Sequence, residues 1–194
     1  MAKSNFQFSN EVPTLEFLMG YYHKAKDAIN FRYSEENPKF ISLFLGRKPK
    51  EIDNEKEELL KELSTDVSFA ILAYIESRFR TDFIVRRRNR KRSDLLAGLF
   101  HANFKMSKEF YSYPLVTGIF KDWKETYAEN DVLLNLFNQL GQAFDYRNWV
   151  AHGRYWVFKD NPNKYTYNYT LGLAQNVDAL LGAELKSKEL FKKK

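Results

Sequence analysis

The segment RNWVAHGRYW contains the side chains whose types and spacing could support chemistry: Arg147, Asn148, His152 and Arg154. An imidazole titrates near neutral pH, so His152 could accept or donate a proton. Arginine supplies a fixed positive charge and paired N–H donors that fit a phosphate. These residue types suit metal-independent cleavage of RNA. That reaction needs a base for the ribose 2′-hydroxyl, an acid for the leaving 5′-oxygen and positive charge for the phosphorane.

The geometry of a helix separates the two principal side chains of this segment. At about 100° per residue, Arg147 and His152 point about 140° apart, so one copy converges poorly on a single phosphate. A two-fold dimer that brings two such helix ends together would place two histidines and two arginines around one bond. One histidine could then act as the base and the other as the acid.

Two structural interpretations of the same segment compete with catalysis. First, Arg78 and Asp82 fall on the inner face of an earlier predicted helix and could pair with the polar groups near Arg147. Secondly, Ala-His-Gly is a common helix C-terminus, in which His152 interacts favourably with the helix dipole and Gly153 adopts a left-handed conformation. The spacing leaves all three interpretations open.

The sequence RNWVAH resembles the Arg-x(4 to 6)-His motif of the HEPN superfamily (higher eukaryotes and prokaryotes nucleotide-binding). The extended RNWVAHGRYW is similar to the Abi-like abortive-infection branch, in which Ala precedes the His and an Arg and a Trp follow. This resemblance implies a dimeric endoribonuclease in which Arg147 and His152 are the catalytic pair and Asn148 orients the site. It further implies a cyclic-phosphate product and a role as a toxin or anti-phage effector.

The residues after the histidine differ from one branch of that superfamily. Toxins blocked by adenylylation carry Tyr two residues after the His, whereas this chain has Arg154 there and Tyr155 next. We therefore do not expect control by a nucleotidyltransferase antitoxin, and a different antitoxin or defence-system protein is the expected partner. Arg154 and Tyr155 are separately predicted to bind RNA. Some superfamily members only bind nucleotides or hold a partner, so a non-catalytic binding module is the alternative function.

The bulk composition fits one helical domain over residues 1–194. With 194 residues and 44% apolar content, the chain can build one sizeable core. There is no cysteine and there are only three histidines, so we expect neither a metal site nor a cofactor. The longest apolar run, residues 69–75, is far shorter than a bilayer requires, so we expect a cytoplasmic protein without a membrane segment.

The positive charge concentrates in one run. The chain has a formal net charge of +6, and RRRNRKR at residues 86–92 contains six cations in seven positions. Such a run attracts polyanions, of which RNA is one, although it is equally typical of a solvated helix end. The residues predicted to contact phosphates are Arg87, Arg88, Arg90 and Arg92.

Apolar periodicity indicates an all-α protein, an antiparallel helical bundle with one small β-hairpin. The helices are predicted over about residues 14–32, with Thr14 as N-cap, and from Asn54 to the mid-80s. Further helices are predicted from Ser93, from Pro114, from a cap at Asn130 or Asp131, and from Gly172 to Phe191. Before the last helix, RYWVF and KYTYNYT flank the turn-like KDNPN and are predicted to form the hairpin. Its alternating Tyr165, Tyr167 and Tyr169 would pack on the bundle or stack on bases.

Overall fold

A computed structural model describes residues 13–89, 94–104 and 112–190, with side chains for 13–88, 94–104 and 112–182. Over these ranges the chain is helical and contains no β-strand, so the all-α prediction is confirmed. No helix in the described part of the chain is long and apolar enough to cross a membrane.

The first half of the chain is dominated by one long helix. Helix α1 spans Leu15–Arg32 and is capped as predicted by Thr14, whose Oγ1 accepts a hydrogen bond from the Phe17 amide at 3.2 Å. Helix α2 is a short segment, Phe40–Phe44, and helix α3 spans Pro49–Asn89. It begins five residues before the predicted Asn54, because proline fits the first turn of a helix.

The second half contains four further helices. Asp94 caps helix α4, Leu95–Asn103, and Asn130 caps helix α6, Asp131–Ala151, each through its side-chain oxygen. Between them, one π-helical turn at Leu115–Ile119 leads into helix α5, Phe120–Thr126. Helix α7 spans Tyr167–Leu190.

The predicted β-hairpin is wrong. The chain between α6 and α7 is irregular apart from one 3₁₀ turn at Pro162–Lys164, and the second expected strand lies largely within α7. Asn161 caps the 3₁₀ turn, and the Thr166 carbonyl accepts the Thr170 amide at 3.0 Å in the first turn of α7. Three alternating tyrosines are too short a pattern to separate a strand from a helix start once capping residues favour the helix.

Helix α3 is the centre of the bundle. It packs against α1, α7, α4 and α6, and one cluster of buried apolar side chains runs from Leu15 to Leu181. Its middle is aromatic: Phe79 contacts Phe120, Trp123 and Phe137, with ring centroids 4.9–6.1 Å apart. This core fixes α6 against α3, so the C-terminal end of α6 is held by rigid packing.

Candidate active site at the end of helix α6

Helix α6 ends in a Schellman motif. The amide of Gly153 donates to the Val150 carbonyl and the amide of Arg154 to the Trp149 carbonyl, both at 3.0 Å. Gly153 has φ +79° and Arg154 has φ +58°, so two successive residues occupy the left-handed region. The structural interpretation of Ala-His-Gly as a helix C-terminus is confirmed. His152 is the C-cap residue and its side chain is exposed.

Arg147 faces α3 and is only 25% exposed. Its Nη1 lies 2.9 Å from Oε2 of Glu76, and its guanidinium carbon lies 5.4 Å from the ring centroid of Phe69 and 5.7 Å from that of Phe144. Its Nε is buried without a hydrogen-bond partner among the described residues. Glu76 also accepts a hydrogen bond from Arg80 Nε at 2.7 Å. One carboxylate therefore holds two guanidiniums.

Asn148 and His152 lie on a different side of α6, where both are exposed. The rings of His152 and Trp156 are 5.9 Å apart. The Trp149 indole N–H donates to the Trp156 carbonyl at 2.7 Å, which holds the following loop against the helix end. Trp156 is thus a fixed neighbour of His152.

A cavity of about 360 Å³, here called the α6 cavity, lies between α6 and the loop that follows it. The Tyr165 hydroxyl donates to Asp160 and lowers the pKa of that carboxyl, while burial raises the pKa of Tyr165 itself. Lys164 donates to the Gln142 carbonyl oxygen at 2.9 Å. The cavity is lined by Gln142, Asp145, Asn148, Trp156, Val157, Phe158, Lys159, Asp160 and Tyr165.

The two residues assigned to RNA binding after the histidine differ in their surroundings. Arg154 makes a bidentate ion pair with Glu62 of α3, with both N–O distances at 2.9 Å. The hydrogen bonds from Arg154 lower the pKa of Glu62. Tyr155 is 80% exposed and packs edge-on against Trp156. Tyr155 is open to a ligand, whereas Arg154 is partly neutralised.

The predicted supporting residues Arg78 and Asp82 do not contact Arg147. Arg78 binds Asp178 of α7 at 2.9 Å, and Asp82 binds Arg86 at 2.8 Å. The acid that does bind Arg147 is Glu76. Like Arg78 and Asp82, Glu76 is a candidate for the further polar positions that the HEPN resemblance implies, but the sequence does not single it out as the partner of Arg147.

The basic run is less available than its composition indicates. Arg87 is 4% exposed, hydrogen-bonded to His101 and placed over the Phe104 ring, which is not compatible with a phosphate contact. Arg88 is exposed. Arg90 and Arg92 lie outside the described residues. Of the predicted phosphate contacts in this run, Arg88 is the one that the structure places at the surface.

Within the described ranges, no group of three or more His, Cys, Asp or Glu side chains could hold a metal ion. No protein-family model matches the chain, and searches of curated proteins and of solved structures give no match either. The geometry at the end of α6 is therefore the basis for the function proposed below.

Proposed function

We propose that the protein is a metal-independent endoribonuclease that acts as a homodimer, in cytoplasmic anti-phage defence or growth control. The observation that carries this proposal is the exposed imidazole of His152 at a rigid helix end, with exposed Asn148 one turn earlier. Histidine is the side chain best suited to exchanging protons near neutral pH. The HEPN-like motif adds Arg147 as the source of positive charge.

In the proposed reaction, one His152 accepts the proton of the ribose 2′-hydroxyl, and the 2′-oxygen attacks the adjacent phosphorus. The bond from phosphorus to the 5′-oxygen breaks, and the second copy's His152 gives that oxygen its proton. The products are a 2′,3′-cyclic phosphate and a 5′-hydroxyl. Arg147 stabilises the charge that develops on the phosphoryl oxygens. An antitoxin or defence-system protein would control the reaction by binding the same surface.

Apolar side chains beside the histidine support the proposed dimer. Tyr155 is 80% exposed and Val157 is 91% exposed, directly after the helix end that carries His152. Burying such side chains between two copies is favourable, at about 25 cal/mol per Å² of apolar area. A two-fold contact here would bring the two imidazoles toward one phosphate.

The test is RNA cleavage in EDTA by the wild type and by His152→Ala. General acid–base catalysis contributes about 10²- to 10⁴-fold, so we expect His152→Ala to lose at least about 100-fold in rate. The control is His23→Ala, which removes an exposed histidine of α1 and should keep full activity. Equal cleavage by wild type and His152→Ala would remove His152 from the mechanism.

One observation favours a second function, a non-catalytic module that binds RNA, a nucleotide or a partner. The Arg147 guanidinium already binds Glu76 within its own chain, which offsets the charge that catalysis would use. A binding module predicts that the protein retains RNA without cleavage products at high protein concentration and across pH. The same EDTA assay, run beside a filter-binding assay, separates the two functions.

A further inference from the structure

We infer that the α6 cavity is a guanine-binding subsite, which holds the base of a nucleotide beside His152. The inference rests on the proposed function for its role, since it gives the nuclease a base preference. Its volume of about 360 Å³ falls in the range of about 300–1,000 Å³ typical of small-molecule sites. The choice of guanine follows from which hydrogen-bonding groups of the cavity are available.

The polar groups that line the cavity divide into engaged and available ones. Asp160 accepts from the Tyr165 hydroxyl and the Asn161 amide, and Gln142 accepts from Lys164. By contrast, the side chains of Asp145 and Asn148 make no hydrogen bond or ion pair with any described residue. They stand three residues apart on α6 and are both exposed. The cavity therefore presents a free carboxylate next to a free carboxamide.

A free carboxylate can only accept hydrogen bonds, so among the four bases it favours one that presents donors. Guanine carries two adjacent donors, N1–H and the N2 amino group, on its Watson–Crick edge, and these match the two oxygens of Asp145. Adenine and cytosine each place a ring-nitrogen acceptor beside their amino group, and uracil flanks its single N–H with carbonyl oxygens. An acceptor facing the carboxylate would be repelled, so guanine fits best.

The remaining cavity residues fit the other parts of a nucleotide. Trp156 is 38% exposed and lies beside His152, so its indole offers a surface on which a base can stack. Lys159 is exposed and has no ion pair within the described residues, which leaves its ammonium available for a phosphate. A guanine bound to Asp145 would stack on Trp156, whose ring centroid lies 5.9 Å from that of His152.

Calorimetry of the full chain in EDTA with GMP, AMP, CMP and UMP tests the inference. We expect GMP to bind at least about tenfold more tightly than the other three, the discrimination typical of a bidentate base contact. Asp145→Asn should remove this preference, because a carboxamide places a donor against the donors of guanine. Asp27→Asn, at an exposed acid of α1, is the matched control and should leave all four affinities unchanged.

Equal affinity for the four nucleotides, or a GMP preference that survives in Asp145→Asn, would overturn the subsite. Both variants change exposed side chains, so their melting temperatures should match the wild type. The readout is independent of cleavage. RNA cleavage without a GMP preference would refute the subsite but not the proposed nuclease function. A GMP preference without RNA cleavage would refute the nuclease function but not the subsite.

Discussion

The C-terminal ends of α3 and α6 both carry basic residues, but the fold uses them in opposite ways. At the end of α3, Arg86 is 3% exposed, and its guanidinium bonds Asp82 at 2.8 Å and Asp94 at 3.0 Å. At the end of α6, His152 is exposed, and its ring contacts Trp156. Arg86, the first residue of the denser run, is thus buried and paired with acids, whereas His152 is open to solvent.

The difference shows that acids decide where positive charge remains available. Asp82 lies one helical turn before Arg86, and Asp94 both caps α4 and accepts from Arg86. The arginine therefore joins α3 to α4 and cannot reach a ligand. At the end of α6, Glu62 binds Arg154, and the His152 side chain is exposed.

The largest effect that this comparison predicts is on stability, in Arg86→Leu. The change removes both hydrogen bonds from Arg86 to the Asp82 carboxylate, which is 9% exposed. Breaking a buried ion pair costs about 3 to 5 kcal/mol of unfolding free energy, measurable by denaturant titration. Arg88→Leu changes an exposed side chain two residues later on α3 and should cost less than about 1 kcal/mol. Similar losses in both variants would contradict the contrast between a buried and an exposed arginine.

An intermediate effect on stability is expected from Gly153→Ala, at the C-terminal end of α6. The left-handed conformation, with φ +79°, costs a non-glycine residue about 1 to 2 kcal/mol. Nothing lies within 4 Å of the added Cβ, so the loss comes from the backbone alone. Gly141→Ala is the matched control within α6, also with open space around its Cβ, and should instead stabilise the protein by up to about 1 kcal/mol. If Gly153→Ala and Gly141→Ala shift the melting temperature equally and in the same direction, the Schellman geometry is refuted.

Sequence patterns predicted those parts of the fold that have long apolar stripes and local caps. Thr14 was identified as a cap, and Asn130 as one of two candidates beside Asp131, because an N-cap needs only its own helix. The start of α3 and the segment before α7 were missed. At α3 the first-turn Pro49 extends the helix beyond the predicted Asn54, and the start of α7 also depends on a contact with another element, since the Tyr167 amide donates to the Ser64 hydroxyl of α3 at 2.9 Å.

The candidate site, like the fold, could be predicted only where a feature depends on a single helix. The sequence located His152 and the Gly153 terminus, since both follow from one helix and its end. It did not identify Glu76 as the partner of Arg147, because that pairing depends on the rotation of α6 relative to α3. Nor did it reveal the α6 cavity, whose walls join a helix to a loop that was predicted to be a strand.

The smallest predicted effect concerns Arg154, which follows the C-terminal end of α6 and forms an ion pair with an acid, Glu62. Its pair with Glu62 is 37% and 52% exposed, so Glu62→Gln should cost about 0.2 to 1 kcal/mol at neutral pH. The folded pKa of Glu62 is lowered below its ordinary 4.5, so this contribution is present above pH 4.5 and is lost as the pH falls through the folded value. Unfolding free energies of wild type and Glu62→Gln should therefore converge in acid, while Glu58→Gln, an exposed acid one turn earlier, should match the wild type throughout.

The same variant separates two roles for Arg154. Releasing its guanidinium from Glu62 adds a free positive charge beside the proposed RNA site, so RNA affinity should rise about two- to fivefold at low salt if Arg154 contacts phosphate, with a steeper salt dependence. If Arg154 only anchors the loop to α3, RNA affinity should equal that of Glu58→Gln. In that case Arg86 and Arg154 both serve structure, and the described groups that remain for RNA near the end of α6 are His152, Tyr155 and Lys159.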